Sequence, residues 1–384
     1  MKNQMKKLVL TKEAFVIGEN ALDYLKEMNA ERAVIVTGGK SMFSTGVIDK
    51  VTKLLEEGGA EVFVYSGVSK NPTVTQVEEG LSVLREKKPD MVVAVGGGSP
   101  LDAAKVMTLF YDFPEFDFSN VLQADLSNLK LKTKFVAIPS TSGTASEVTH
   151  VCVITYEKEE YKFAIRSEAI RPDVAILDPA LPQTLPCKIA AETGMDALTH
   201  ALEAYINKTG NDFTYALAKE AAEGILEWLP VSVKTGSKES REKMHNFSCM
   251  AGMAFSNSGL GMVHGVSHAF GGKYNLAHGL ANAIVLPYSM DYNKKDKEVR
   301  EKYEKLSRIL GGDVIEKVKA LQKELGIASC MKEAGVDEES YKADFDFLLE
   351  NSMKGSTAVN PIPVPVSDME KFLDCIYYGK KVEF

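Results

Sequence analysis

The chain has 384 residues, 45% of them hydrophobic and 26% charged, a balance that excludes a disordered, collagen-like or fibrous protein. At this length two cores of roughly 200 residues each are expected instead of one. A formal charge of −8 argues against nucleic acid or an acidic membrane surface as the main partner, since both rely on clustered Lys and Arg, and leaves a small molecule.

The start, MKNQMKKLVL, is basic, but its apolar run is much too short for a secretory signal. No window approaches the roughly 20 apolar residues needed to cross a bilayer. After this start, Ala33 to Val36 reads as a short buried strand, followed by the turn Thr37-Gly38-Gly39-Lys40-Ser41 and a helix from Val47 to Leu55. The unit repeats. Val62 to Tyr65 leads through Asn71-Pro72 into a helix over Val74 to Leu84, and Met91 to Val95 leads through Gly96-Gly97-Gly98-Ser99 into Leu101 to Leu109. Such alternation predicts a parallel sheet covered by helices. Phe135 to Ile138 is another buried strand, and it feeds the hydroxyl-rich loop PSTSGTASE. Two alternating strands, Val151 to Tyr156 and Tyr161 to Ile165, flank a charged EKEE turn, and Val174 to Leu177 closes the α/β part.

From Pro186 onward the pattern turns helical, with amphipathic stretches at Phe213 to Leu229, Arg241 to Phe255 and Val299 to Leu310, and with Gly271-Gly272 read as a helix break. Asn360 to Pro365 is extended and leads into a last helix ending at Tyr378. The expected organisation is an α/β N-terminal domain, residues 1–184, with a Rossmann-like parallel sheet, and an all-α C-terminal domain, residues 185–384. Five scattered cysteines, Cys152, Cys187, Cys249, Cys330 and Cys375, form no CxxC pair and read as reduced packing residues of a cytoplasmic protein.

Three stretches carry residues suited to chemistry. Glycines after a strand let backbone approach a pyrophosphate, with the next helix's free N–H groups facing it; the GGGS turn fits this and fits a tight structural turn equally. Asp102, expected in that helix's first turn, reads either as a ligand contact or as a charge set against the helix dipole. In LPCKIAAETGMDALTHALEAYI, Asp196 and His200 stand four apart amid alanines and leucines, so both project from one face of a helix. A buried carboxylate there calls for a cation or for hydrogen-bond donors, and Glu203 one turn on is another partner for His200. In GLGMVHGVSHAFGGKYNLAHGLANAIVLP, His264 and His268 are four apart and His278 follows. Each alone is more readily a buried histidine bonded to backbone; together they point to one site.

TGMDALTHALEAY and GLGMVHGVSHAFGGKYNLAHGLANA resemble the two signature segments of the iron-containing, or group III, alcohol dehydrogenases. The resemblance runs from near the N-terminus to Asn360-Pro361 and implies a dehydroquinate synthase-like fold. It implies metal ligation by Asp196, His200, His264 and His278, with Fe2+ as the ion and Zn2+ as the alternative. Ala269 and Ala277 stand where the family often has Pro, which touches loop geometry and no donor atom. GGGSPLDAAK and PSTSGTASEVT match its nucleotide-binding segments, which makes Gly97, Gly98, Ser99, Asp102, Thr141, Ser142 and Thr144 candidate cofactor contacts, joined by Asn71 and Val153; Lys162 matches a further family cofactor contact, where the residue alone reads as a solvated edge lysine.

The turn Gly38, Gly39, Lys40 and Ser41 has no acidic residue to accept from a ribose 2′-hydroxyl. It offers room, charge and donors to a 2′-phosphate, so NADP is expected, with NAD as the alternative. The implied activity is hydride transfer between a primary alcohol, or its aldehyde, and NAD(P), with the substrate oxygen on the metal. His268 is either a proton relay or a packing residue, and a homodimer is the implied assembly. A polyol dehydrogenase and a dehydroquinate synthase-like lyase are the competing readings; the latter's phosphorylated substrate needs clustered Lys and Arg, and Ser256 to Tyr288 holds only Lys273.

Overall fold

The computed structural model describes residues 7–157 and 161–384. The described part of the chain divides into two compact units. The first runs to Ser140 and takes in Ala145–Glu157 and Phe163–Leu181; the second holds Thr141–Thr144 and Pro182–Phe384.

In the first unit the strands are β1 (Ala14–Ile17), β2 (Arg32–Gly38), β3 (Glu61–Val68), β4 (Met91–Gly96), β5 (Lys134–Pro139), β6 (Val151–Tyr156), β7 (Tyr161–Arg166) and β8 (Val174–Leu177). Its helices are α1 (Ser41–Ser44), α2 (Val47–Glu57), α3 (Val74–Lys87) and α4 (Gly98–Asp112). Six strands form one sheet in the order β1-β8-β5-β4-β2-β3, with every pairing parallel. Both faces are covered, because successive side chains of a strand point to opposite sides. Val34, Val36, Val92, Ala94 and Phe135 join one core with α3 and α4, while Ala33, Ile35, Val93, Val95 and Val136 join another with α2. That is why the central strands read as uninterrupted Val, Ile and Ala. β3 differs: it is an edge strand, and most of its side chains are partly or fully exposed. β6 and β7 form a separate two-stranded sheet, and the turn expected between them lies, from Lys158 to Glu160, outside the described residues.

The second unit is built from α5 (Cys187–Ile206), α6 (Asp212–Thr235), α7 (Lys238–Ser258), α8 (Met262–Tyr274), α9 (His278–Asn293), α10 (Lys297–Leu310), α11 (Val314–Glu324), α12 (Glu338–Ala343), α13 (Phe345–Ser352) and α14 (Val366–Tyr378). α5 is the axis. All of its residues from Gly194 to Ile206 are buried, and α6, α7 and α9 pack around it. Two expectations about helix ends need correction. Gly271-Gly272 does not break α8, which runs on to Tyr274 and stops where Asn275 adopts a left-handed φ of 51°. α6 does not end at Leu229 but continues through Pro230 to Thr235, since proline bends a helix without always ending it. Four cysteines are buried, but Cys187, at the start of α5, is exposed and does not pack. Among the described residues no helix is long and apolar enough to cross a membrane.

Candidate active site

Asp196, His200 and Glu203 recur at helical spacing along α5, so the three side chains share one face, and all are at least 96% buried. The N-terminus of α8 meets that face. Its first N–H groups need acceptors, and two are supplied from elsewhere in the unit: Met262 N–H donates to Asn360 Oδ1 (3.2 Å) and Val263 N–H to Glu203 Oε1 (2.8 Å). Glu203 Oε2 then accepts from His264 Nδ1 at 2.5 Å. One carboxylate therefore both caps α8 and fixes the ring that α8 carries.

The N-terminal turn of α9 brings the third imidazole. A Cβ on Gly279 would lie 2.2 Å from the Glu192 carbonyl oxygen, so glycine is what lets α9 rest directly on the α5 backbone. His278, one residue earlier, is carried to within 3.6 Å (Nε2) of Asp196 Oδ1. His200 Nε2 and His264 Nε2 are each 3.9 Å from the same oxygen. Donor atoms of Asp196, His200 and His264 all fall within 4.8 Å of one another.

The tautomers follow from the other ring nitrogens. His200 Nδ1 donates to the Gly143 carbonyl (3.2 Å) and His264 Nδ1 to Glu203, which leaves both Nε2 lone pairs aimed at the shared space. The His200 ring is held between Phe255 and His264, with ring centroids 4.3 Å and 4.7 Å away. Burial pushes His278 down to about 3 and His264 well below its ordinary value, so both are neutral at pH 7. Burial raises Asp196, but the facing imidazoles and the Asn282 amide outweigh it and hold the carboxyl below its ordinary value. Burial also lifts Glu203, to about 7, against the backbone donors at Val263 and Gly261.

The donor set fits a cation. Asn282, entirely buried on α9 one turn after His278, directs its Nδ2 at Asp196 Oδ1 (2.7 Å), His278 Nε2 (3.0 Å) and His264 Nε2 (3.2 Å). An amide nitrogen has two hydrogens, yet three acceptors converge on it. Its own Oδ1 is buried without a hydrogen-bond partner among the described residues. Three imidazoles and a carboxylate, with no thiolate, suit iron or zinc.

His268 stands apart from this cluster. It is exposed, with its ring stacked on His278 at 5.0 Å and edge-on to His264 at 6.1 Å. Ser142 Oγ lies 3.0 Å from His245 Nδ1, which occupies a hydroxyl expected to face a cofactor. Thr141, Ser142 and Thr144 group with the helical unit by their contacts. Lys162, on β7, is half-buried.

In the α/β unit the GGGS turn leads directly into α4, whose N-cap, Gly97, has no side chain to compete with an anion for the first N–H groups. Ser99, in the first turn, accepts from the Asn71 N–H at 3.3 Å. Asp102 is not in that first turn, because α4 already begins at Gly98; its carboxylate accepts from Ser146 Oγ (2.6 Å) and from the Val153 N–H (2.9 Å). Asp102 and Val153 thus bond to each other. At the end of β2, Gly38 is explained by its neighbour, since a Cβ would lie 2.2 Å from the Val68 carbonyl oxygen. Gly39 has a φ of +64° with open space around it, and Gly39, Lys40 and Ser41 are exposed.

Two residues of the cluster carried weak signals in the sequence. Asn282 is four residues after His278 and Glu203 is seven after Asp196, spacings that place each on its ligand's helix face. Asn360 has no local signal, being about 100 residues from the helix it caps.

Helix-borne imidazoles around one carboxylate, in a chain whose other unit is a parallel α/β sheet, fit the class of enzymes that pair a metal ion with a nucleotide cofactor. The comparisons sharpen this. The model of iron-containing alcohol dehydrogenase matches residues 13–179, and that of the Fe-containing alcohol dehydrogenase family's C-terminal part matches 190–377. The chain is 42% identical over 379 residues to an NADPH-dependent butanol dehydrogenase of Clostridium saccharobutylicum, covering 96% of this chain and 97% of that one. It is 37% identical over 399 residues to an aldehyde-alcohol dehydrogenase of Streptococcus pneumoniae, covering 94% of this chain but only 45% of that longer protein. An iron-containing alcohol dehydrogenase structure from Thermococcus thioreducens superposes with a TM-score of 0.91 at 37% identity, covering 98% of this chain and all of that one. The chain belongs to the iron-containing alcohol dehydrogenase family, and it is an alcohol dehydrogenase.

Proposed function

We propose that the chain interconverts primary alcohols and their aldehydes with NADP(H), using Fe2+ held by Asp196, His200, His264 and His278. The observation that carries this is the convergence of three imidazole Nε2 atoms on Asp196 Oδ1, all within 3.9 Å. When bound, the cation supplies Lewis acidity to an alcohol or carbonyl oxygen, and the nicotinamide supplies or takes up the hydride.

The chain's own groups do the rest. Glu203 and the Gly143 carbonyl hold the rings of His264 and His200 in the ligating tautomer, and Phe255 covers the His200 face. His268, exposed beside His278, carries the substrate proton toward solvent, a task that imidazole suits near neutral pH. The N-terminus of α4 takes the pyrophosphate, with Asn71, Gly97, Gly98 and Ser99 shaping the approach, while Asp102 anchors Val153 behind it. Thr141, Ser142, Thr144 and Lys162 belong to the same nucleotide reading. Gly39, Lys40 and Ser41 receive a 2′-phosphate, since the turn is open and carries no carboxylate to repel it. The relative from Clostridium saccharobutylicum, an NADPH-dependent butanol dehydrogenase, supports this choice. The reading extends to a homodimer in the cytoplasm, and sedentation in an ultracentrifuge tests the dimer.

The deciding experiment loads purified protein with Fe2+ anaerobically and measures aldehyde reduction by NADPH, beside His264→Ala. Wild-type protein should retain about one metal per chain and turn over, and the variant should lose both, as removal of one of four ligands demands. Metal retained undiminished by His264→Ala would remove this cluster as the site.

A further inference from the structure

We infer that Asn282 stands in for the cation in the metal-free protein, and that its displacement is part of what metal loading costs. This rests on the metal reading above. The observation is the over-subscribed amide: Nδ2 lies within 3.2 Å of Asp196 Oδ1, His264 Nε2 and His278 Nε2, three of the four atoms proposed to bind the metal. Lone pairs engaged by N–H groups are not open to a metal, so the amide and the cation compete for the same acceptors.

Without either, the buried Asp196 carboxylate and the lone pairs of buried His264 and part-buried His278 would face one another with no hydrogen-bond donor between them, which is a costly arrangement. The amide removes that penalty and keeps the donor atoms converged. Asn282 Oδ1 has no hydrogen-bond partner among the described residues, so the side chain is held from the nitrogen side alone. Among the described residues no hydrogen bond at the oxygen resists rotation when the cation draws the acceptors away. α9 is also the helix that delivers His278, so the placeholder and a ligand move on one rigid element.

The test compares wild type with Asn282→Leu, which keeps the side chain's branching and removes both donors, and with Asn282→Ala. Dissociation constants for Zn2+ are measured by competition with a chromophoric chelator, and thermal unfolding is recorded with and without Zn2+. Both variants should bind Zn2+ about tenfold more tightly, the worth of one hydrogen bond to a charged acceptor. They should also lose more thermal stability in the metal-free form than in the loaded one. Equal or weaker Zn2+ binding in the variants, with equal loss in both forms, overturns the inference while wild-type binding upholds the site itself; no Zn2+ binding by wild type overturns both.

A variant that fails to fold is bypassed by the wild-type protein alone. Crystal structures of the chelator-stripped and Zn2+-soaked forms should show Asn282 Nδ2 on its three acceptors only in the former. An amide in the same place in both structures refutes displacement.

Discussion

Gly279→Ala tests whether α9 must lie against the α5 backbone for the site to work. The added Cβ would sit 2.2 Å from the Glu192 carbonyl oxygen, 2.7 Å from its carbon and 3.4 Å from Asp196 Cβ. Relief to ordinary contact, at about 3.5 Å, requires the two helices to separate there by about 1 Å. No flexible side chain can absorb this, because the obstructing atoms are backbone in the middle of a helix. Overpacking of this kind costs about 1–3 kcal/mol in stability. The functional loss should be larger in proportion. His278 is the residue next to Gly279 and moves with it, whereas ligand distances in a metal site tolerate only about 0.2 Å. Affinity for Zn2+ or Fe2+ should drop about 10- to 100-fold, the range seen when ligand positioning is disturbed. The measurement is chelator competition and thermal unfolding, with Gly272→Ala as the comparison. Gly272 lies inside α8 with nothing within 4 Å of a built Cβ, so alanine there should leave metal affinity unchanged and gain up to about 1 kcal/mol of helix propensity. Wild-type metal affinity in a folded Gly279→Ala protein would refute the argument that this close approach sets the position of His278.

The remaining predictions concern the α/β unit. Gly39→Asp should lower the ratio of kcat/KM for NADPH to that for NADH, because the space is open and Asp tolerates the left-handed φ of +64° better than most residues; an unchanged ratio removes this turn from cofactor choice. Gly98→Val should weaken nucleotide binding at the start of α4 without lowering metal content, and wild-type affinity by titration would leave the GGGS turn purely structural. His150 is held down to about 4, chiefly by burial, and its Nδ1 lies 3.2 Å from Arg171 Nη2, which donates to a neutral ring. The unfolded chain protonates this histidine near its ordinary value of 6.5 while the folded chain does not, so stability is lost as pH falls from 6.5 toward about 4. His150→Gln should remove up to about 2 kcal/mol of the destabilisation at pH 5, read from thermal unfolding at pH 5 and 7, and identical pH dependence in both proteins would count against the assignment.

Much of the fold was readable because both units rest on periodic patterns. Continuous runs such as Met91 to Val95 mark strands covered on both faces, and the sheet confirms that alternate residues enter separate cores. The helix ends were less legible for a local reason. Gly271-Gly272 and Pro230 carry breaker residues, but packing overrides their propensity, and α8 and α6 run through them. Asp102 falls beyond the first turn for a similar reason, because α4 starts at Gly98 and not after the glycines.

At the site, the residue types with unusual chemistry announced themselves, and the residues that make that chemistry usable did not. Asp196 and His200 are visible as a spacing of four on one helix, and His264 and His278 as histidines of one short segment. That the imidazoles present Nε2 and not Nδ1 depends on Glu203 and the Gly143 carbonyl, contacts that span 61 and 57 residues. A sequence pattern reports which side chains share a helix face, but a tautomer is set by whatever lies behind the ring, and that partner comes from another element. The same holds for Asn282, whose spacing from His278 was open to view although its meaning was not. Only with α5, α8 and α9 assembled does one amide nitrogen meet three acceptors, and only then does an ordinary buried asparagine become an argument about what holds the donor atoms together.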